Sequence, residues 1–200
     1  MRADQLLVER GLAASRSQAQ RLIASGVQWR KPLHSWQQVD KNGALLPPDC
    51  ELQLLDDAES RFVSRGGLKL DGALQVTGVA VQGLRCLDIG QSTGGFTDCL
   101  LQLGAARVVG VDVGHAQLHS SLRNDSRVVC LEKINARSLN ADDSPLKQHT
   151  PQSGFDLLVA DLSFISLTLV LPVLPALMHA RAHALLLVKP QFELQPADIG

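Results

Sequence analysis

Hydrophobic positions change their period along the chain. In the first 25 or so residues they fall in two short helical patterns. Leu6 and Leu7 give residues 3–10 an inward side, and Gly11 stops that segment as a C-cap. Ser15 is followed three residues later by Gln18, a capping box that starts a second helix. Ala19, Leu22 and Ile23 form its apolar face, and Gly26 ends it. Short strand-like pieces follow at 27–29, 37–39 and 51–55, with Pro47 and Pro48 in a turn. The charged stretch 56–61 reads as a linker. The pattern predicts a small α+β domain over residues 1–60.

Beyond the linker, short apolar runs alternate with amphipathic stretches. Residues 67–76 have helical spacing, with Leu70, Ala73, Leu74 and Val76 apolar and Gly78 at the end. Residues 85–89 form an apolar run that leads into Gly90. Phe96, Cys99, Leu100 and Leu103 fall at i, i+3, i+4 and i+7, and Gly104 closes that helix. Further strands are predicted at 107–113, 127–132, 155–161 and 183–188, with a weak helix at 117–123. Strands that alternate with helices form βαβ units and a parallel sheet covered on both sides. Residues 61–200 are therefore read as an α/β, Rossmann-like domain.

Composition adds limits. The chain is 45% apolar with a formal net charge of −1, enough for a packed core and silent about nucleic acid. Its first 35 residues hold Arg2, Arg10, Arg16, Arg21, Arg30 and Lys31 against Asp4 and Glu9. That local excess fits a face that meets a polyanion, or an ordinary solvated helix surface. Arg16 and Gln20 share one helix side, with Arg21 beside them. Cys50, Cys86, Cys99 and Cys130 form no Cys-x-x-Cys pair and read as reduced thiols of a cytoplasmic protein. Residues 1–10 lack the apolar core of a signal peptide, and no apolar run approaches the roughly 20 residues of a membrane span. The most apolar stretch, 167–178, is broken by Pro172 and Pro175. His115 with His119, and His179 with His183, lack the glutamate of a zinc protease motif, and no metal site is expected.

Ligands of such a sheet sit past the carboxyl ends of its strands. After the first of these comes Asp88-Ile89-Gly90-Gln91-Ser92-Thr93-Gly94-Gly95-Phe96. Glycines there allow a tight turn and close approach to a ligand. The spacing is neither the dinucleotide pattern nor a P-loop. Asp112, roughly 20 residues on, ends the second strand, where an acid can accept ribose hydroxyls or simply cap a helix. Asn135 follows the third strand and either faces a base or turns the chain. Asp161 ends the fourth strand and Lys189 the fifth. A lysine after so apolar a run needs a partner, and Asp161 is the natural one. Lys69 lies on the helix before the first strand. Two lysines and an aspartate suit transfer to a ribose hydroxyl: ammonium groups stabilise a developing alkoxide, and a lysine can take the proton.

These stretches resemble the TlyA-type (haemolysin A-like) rRNA 2′-O-methyltransferases, related to the FtsJ type. The likeness runs through Arg2-Ala3-Asp4-Gln5-Leu6-Leu7, Ser15-Arg16, Ser64-Arg65-Gly66-Gly67-Leu68-Lys69, Ser92-Thr93-Gly94-Gly95-Phe96-Thr97-Asp98, Asp161-Leu162-Ser163-Phe164 and Lys189-Pro190-Gln191-Phe192-Glu193. It implies an N-terminal domain similar to the ribosomal protein S-four type, with Arg2, Arg16, Gln20 and Arg21 toward RNA. It implies S-adenosylmethionine as cofactor, held by Asp88, Gly90, Ser92, Thr93, Gly94, Gly95, Phe96, Asp112 and Asn135. It implies ribosomal RNA or a ribosomal subunit as partner, with cytidine as the target, and no membrane partner. Of the family's Lys-Asp-Lys-Glu tetrad, Lys69, Asp161 and Lys189 match the first three.

Two departures stand out. Val27-Gln28-Trp29-Arg30-Lys31-Pro32 replaces the family's Val-x-Val-Asn-Gly-like turn. The family also continues past the Lys-Pro-Gln-Phe-Glu stretch, so its final strands and the tetrad glutamate are expected to be missing here, and Glu193 does not take that glutamate's role. The alternatives are a non-catalytic RNA-binding protein with a degenerate methyltransferase fold, a base methyltransferase and a membrane-lytic haemolysin.

Overall fold

The computed structural model describes residues 1–55 and 61–194. Its chain divides into two compact units, Met1–Leu68 and Lys69–Gly200. Of the stretch read as a linker, residues 56–60 lie outside the described residues.

The first unit opens with α1 (Ala3–Glu9) and α2 (Arg16–Gly26). Gly11, at φ +71°, takes the left-handed turn that ends the first helical segment. Ser15 caps α2 by accepting the Gln18 amide at 3.2 Å. The reciprocal bond falls one residue earlier than the capping box predicts: Gln18 Oε1 accepts from the Ala14 amide at 2.7 Å. Three short strands follow, β1 (Val27–Arg30), β2 (Gln37–Gln38) and β3 (Glu51–Leu54). They form an antiparallel sheet in the order β2-β1-β3. Leu6, Leu7, Ala19, Leu22, Ile23, Val27, Val39 and Leu46 close a small core, which is why the apolar periodicity is so plain in these elements.

Helix α3 (Gly66–Thr77) precedes five parallel strands. These are β4 (Arg85–Ile89), β5 (Arg107–Asp112), β6 (Val128–Glu132), β7 (Phe155–Ala160) and β8 (Met178–Leu186). Between them lie α4 (Gly95–Gln102) and α5 (Ser120–Arg123), and α6 (Pro190–Glu193) follows β8. The sheet order is β6-β5-β4-β7-β8, so the direction of winding reverses between β4 and β7. Leu87, Ile89, Val109, Val111, Leu158 and Ala160 bury one side of the sheet against Leu139, Leu146, Val170, Leu174 and Leu177.

Two elements depart from the expected boundaries. The weak helix at 117–123 shrinks to the single turn of α5. Strand β8 begins at Met178, five residues before the expected start at 183. Its first half reads Met-His-Ala-Arg-Ala, a weak strand former: only Met178 pairs there, with Phe155, and regular pairing with β7 resumes at His183 after a register irregularity. Pro172 and Pro175 each sit in a short 3₁₀ turn, at 171–173 and 175–177. Proline cannot donate in a helix interior, so this apolar segment covers the sheet as separate turns.

Beneath the loop after β4 lies a closed polar chain. Asp88, Gln91 and Thr97 are all buried. Thr97 Oγ1 donates to Asp88 Oδ2 at 2.7 Å, and Gln91 Nε2 donates to Thr97 Oγ1 at 2.9 Å. Gly110 on β5 makes room for this arrangement, because a Cβ there would overlap the Gln91 carboxamide. Burial pushes the Asp88 carboxyl up to about 7, against the lowering effect of the Thr97 bond.

Two predictions arise from this packing. Leu87 is fully buried on the central strand, so Leu87→Ala should lower the unfolding free energy by about 2–5 kcal/mol in a urea titration. Val76→Ala, at a position 89% exposed, should change it by about 0.5 kcal/mol or less. The second concerns Asp88. An unfolded aspartate titrates near about 3.9, so the folded chain keeps a proton that the unfolded chain loses between about pH 4 and pH 7. That contribution to stability is complete below about pH 4 and is lost as pH rises through about 7. The Asp88→Asn variant lacks this titration. It should gain stability relative to the parent across that interval, and a pH-independent difference would show that Asp88 is not the titrating group.

Candidate active site

The carboxyl ends of β4, β5 and β7 open onto a cavity of about 700 Å³, within the range of small-molecule sites. Each strand delivers polar groups at its end. Gly90 and Ser92 follow β4, Asp112 ends β5 and Asp161 follows β7. Ile89, Val111, Ile134 and Leu162 supply apolar walls. The placement follows from topology, since the reversal between β4 and β7 leaves a crevice that no crossover covers.

Asp161 stands at one side of this cavity with two ammonium groups on its carboxylate. Lys69 Nζ donates to Oδ2 at 2.9 Å, and Lys189 Nζ lies 2.6 Å from Oδ1. Lys189 also donates to Ser163 Oγ at 2.8 Å. Asp161 and Lys189 are 19% and 18% exposed, against 49% for Lys69, so one lysine is enclosed and the other reaches in from solvent. Burial pushes the Asp161 carboxyl up, but the two lysines outweigh it and hold the group below its ordinary value. It therefore stays ionised at neutral pH. Lys69 sits in the first turn of α3, where the helix dipole disfavours a cation. Asp161 compensates for that placement.

The segments after β7 and β8 are tied together as well. Glu193 Oε1 accepts the Leu167 amide at 2.8 Å, and its Oε2 accepts the Ser166 hydroxyl at 2.5 Å. The Phe164 and Phe192 rings lie 5.4 Å apart. Phe164 is 92% exposed and has φ +64°, so the turn presents an aromatic ring at the cavity edge. The sequence shows Ser163, Phe164 and Phe192 within motifs but points to no separate role for them. A large aromatic in a polar turn is the signal it offers.

Asp112 organises the opposite wall. Its Oδ2 accepts the Ser92 amide at 2.7 Å and its Oδ1 accepts the Gly114 amide at 2.6 Å. It thus braces the glycine loop from the next strand. A carboxylate has about four acceptor sites, so capacity remains for a diol. Asn135 lines the cavity and caps a 3₁₀ turn by accepting the Arg137 amide. The turn reading therefore holds, and the same residue stands at the cavity wall. Gly90 has φ +85°, and a Cβ there would press on the Asp161 carbonyl and the Leu162 side chain at 3.1 Å. A glycine-floored crevice, an acid with spare acceptor sites and apolar walls fit an adenosine-type cofactor.

Other residues expected to face the cofactor stand elsewhere. Asp88 lies under the loop, bonded to Thr97. Thr93, Gly94, Gly95 and Phe96 lead into α4 and are not among the cavity walls. Gly94, at φ +97°, leaves space that Leu118 and Leu122 fill, so its close approach is to side chains. Phe96 is 7% exposed and packs inward. In the first unit, Arg2, Arg16 and Gln20 all turn to Asp4, whereas Arg21 donates to the Ser17 carbonyl. His115 pairs with Glu132 and His119 caps α5.

The chain is similar to several known proteins. Among curated relatives, the 16S/23S rRNA (cytidine-2′-O)-methyltransferase TlyA of Mycobacterium tuberculosis is 47% identical over 202 residues, covering 100% of this chain and 70% of the relative. Hemolysin A of Brachyspira hyodysenteriae is 36% identical over 200 residues, covering 100% of this chain and 78% of the relative. A solved structure of a haemolysin-named protein from Streptococcus thermophilus superposes with a TM-score of 0.67 at 39% identity, covering 100% of this chain and 70% of that one. No helix among the described residues is long and apolar enough to cross a membrane. The FtsJ-like methyltransferase family matches residues 62–200, the stretch that carries the cavity and its lysine–aspartate–lysine cluster, and the chain belongs to that family.

Proposed function

We propose that the chain methylates a ribose 2′-hydroxyl of ribosomal RNA in the cytoplasm, with S-adenosylmethionine as methyl donor and cytidine as the target nucleoside. The observation that carries this reading is the pair of ammonium groups on the single Asp161 carboxylate beside the cavity. Bound S-adenosylmethionine supplies an already activated methyl group. Asp112, Asn135, Gly90 and Ser92 are the residues assigned to hold its nucleoside part. The protein's remaining task is to make a weakly acidic sugar hydroxyl nucleophilic and to align it.

Lys69 and Lys189 do the first. Their charges lower the energy of the alkoxide that forms as the hydroxyl loses its proton. Asp161 stays ionised and keeps both lysines in place, so it serves as holder and not as base. The hydroxyl proton passes to one of the two lysines in its neutral amine form, while the other, as the ammonium, stays beside the developing alkoxide. The exposed Phe164 ring offers a surface on which a splayed base can stack, a common device in RNA recognition. The two lysines argue for ribose rather than base transfer, since an exocyclic amine does not call for alkoxide stabilisation. Arg2, Arg16, Gln20 and Arg21 are assigned to the RNA backbone, and the domain division at about residue 60 to RNA binding on one side and methyl transfer on the other.

Two sets of variants test this. Lys189→Ala and Asp161→Ala should each reduce transfer of labelled methyl to ribosomal subunits by about 10²-fold or more, with an unchanged circular dichroism spectrum. The parent rate in either variant would remove the mechanism. Nuclease digestion with mass spectrometry should locate the methyl on ribose, and a methylated base would refute the assignment. Asp112→Ala should weaken binding of the donor in calorimetry by about 1.5–3 kcal/mol, the range for hydrogen bonds to a charged group. Equal affinity would show that Asp112 only braces the loop.

A further inference from the structure

Among the described residues, Asp4 is an acidic side chain on the proposed RNA-binding face that is closed off from solvent, at 0% exposure. It stands in the first turn of α1, where a negative charge is favoured. Its backbone amide is already bonded to the Asn42 carbonyl. Its carboxylate gathers three side chains, from α2 and from the residue before α1. Arg2 donates from Nε to Oδ1 at 3.0 Å and from Nη2 to Oδ2 at 3.1 Å, a two-point grip that fixes the guanidinium plane. Arg16 Nη2 donates to Oδ2 at 3.0 Å, and Gln20 Nε2 approaches the same oxygen at 3.4 Å. Arg2 also lies over Gly43, where a Cβ would come within 3.3 Å of Nη1. The arginines themselves remain 44% and 55% exposed. The bonds to Asp4 engage two of the five N–H groups of Arg2 and one of those of Arg16.

We propose that Asp4 is a positioning residue for RNA binding, holding Arg2 and Arg16 side by side as a preformed cradle for a backbone phosphate. The proposal rests on the reading that this face meets RNA. Two long arginines on separate segments would otherwise lose considerable side-chain entropy on closing around one anion. Asp4 imposes that order in advance, while removing one unit of positive charge from the face. The two effects of Asp4 on RNA affinity thus have opposite signs: its charge weakens attraction to phosphate, and its grip on the arginines strengthens it. Replacing it reveals which is larger.

The test uses the whole chain and a fluorescein-labelled RNA hairpin with a single-stranded loop, titrated over a range of KCl concentrations. Asp4→Asn makes the face more positive and should nevertheless bind several-fold more weakly. Its plot of log affinity against log salt should be shallower by about 0.7–0.9 for each phosphate that is no longer neutralised. Asp4→Glu keeps the charge but moves the carboxylate by one methylene, and it should weaken binding in the same direction. Should Asp4→Asn fail to fold, as judged by circular dichroism, Asp4→Glu decides the matter alone. Parent or tighter binding with an unchanged or steeper slope, in a folded variant, overturns the proposal and makes Asp4 a mere neutraliser. The Arg2→Ala/Arg16→Ala double variant separates the two levels. If it loses affinity and slope while the Asp4 variants keep both, only the positioning role fails. If it binds like the parent, the RNA-binding reading of this face fails and the proposal with it.

Discussion

Two ammonium groups on one carboxylate form the constraint around which the catalytic unit is arranged. Lys69, Asp161 and Lys189 come from a helix before the sheet and from the ends of two neighbouring strands. Like charges this close repel, and each charge taken out of water carries a desolvation cost of several kcal/mol. Nothing in the stability of a parallel sheet asks for such a cluster. A hydrophobic replacement of similar volume is often neutral or better for folding. In the proposed reaction, what the cluster provides is a positive potential at the edge of a cavity, available without reorganisation when negative charge develops there.

Holding that potential steady requires the surrounding turns to be rigid, and the structure supplies several braces. Glu193 ties the segment after β8 to the segment after β7. Asp112 bonds the loop after β4 from β5. Below them, the buried chain of Asp88, Thr97 and Gln91 links the end of β4 to the start of α4, in a space that only a glycine at position 110 leaves open. A half-satisfied buried network is expensive. Asp88 Oδ1 and Gln91 Oε1 have no protein partner, consistent with a carboxyl that burial drives toward its neutral form. The site's polar groups thus act in two tiers: charged groups at the cavity edge above, and a buried hydrogen-bonded network below that shapes the loop.

Much of this was legible because it is local. Alternating strands and helices, the glycine turn and the acid at the end of β5 follow from spacing within one βαβ unit. The Asp161–Lys189 pair was legible for a different reason, since an apolar run ending in lysine demands a counter-charge. What spacing could not deliver was non-local. Gly94 looked like a ligand-facing glycine, but its space is filled by Leu118 and Leu122, more than 20 residues away in sequence. Strand β8 begins at Met178 because that residue pairs with Phe155 ahead of a register irregularity, and its regular pairing with β7 starts at His183, where the apolar pattern placed the strand. Asp4 counted in the sequence as a charge set against the arginines, and only the fold turns it into their common partner.

The parallel between Asp4 and Asp161 bears on why one cluster uses arginine and the other lysine. Each is a carboxylate that gathers two basic side chains. Arginine is a planar fork, always charged, and it grips a carboxylate or phosphate at two points without taking part in proton transfer. That suits a face whose proposed task is to hold an anion still. Lysine is a compact charge that can exist as a neutral amine, so the same electrostatic arrangement can also accept a proton. The choice of cation over a shared acidic anchor thereby divides the proposed work of the two units: arginine where phosphate is gripped, lysine where a hydroxyl must be activated.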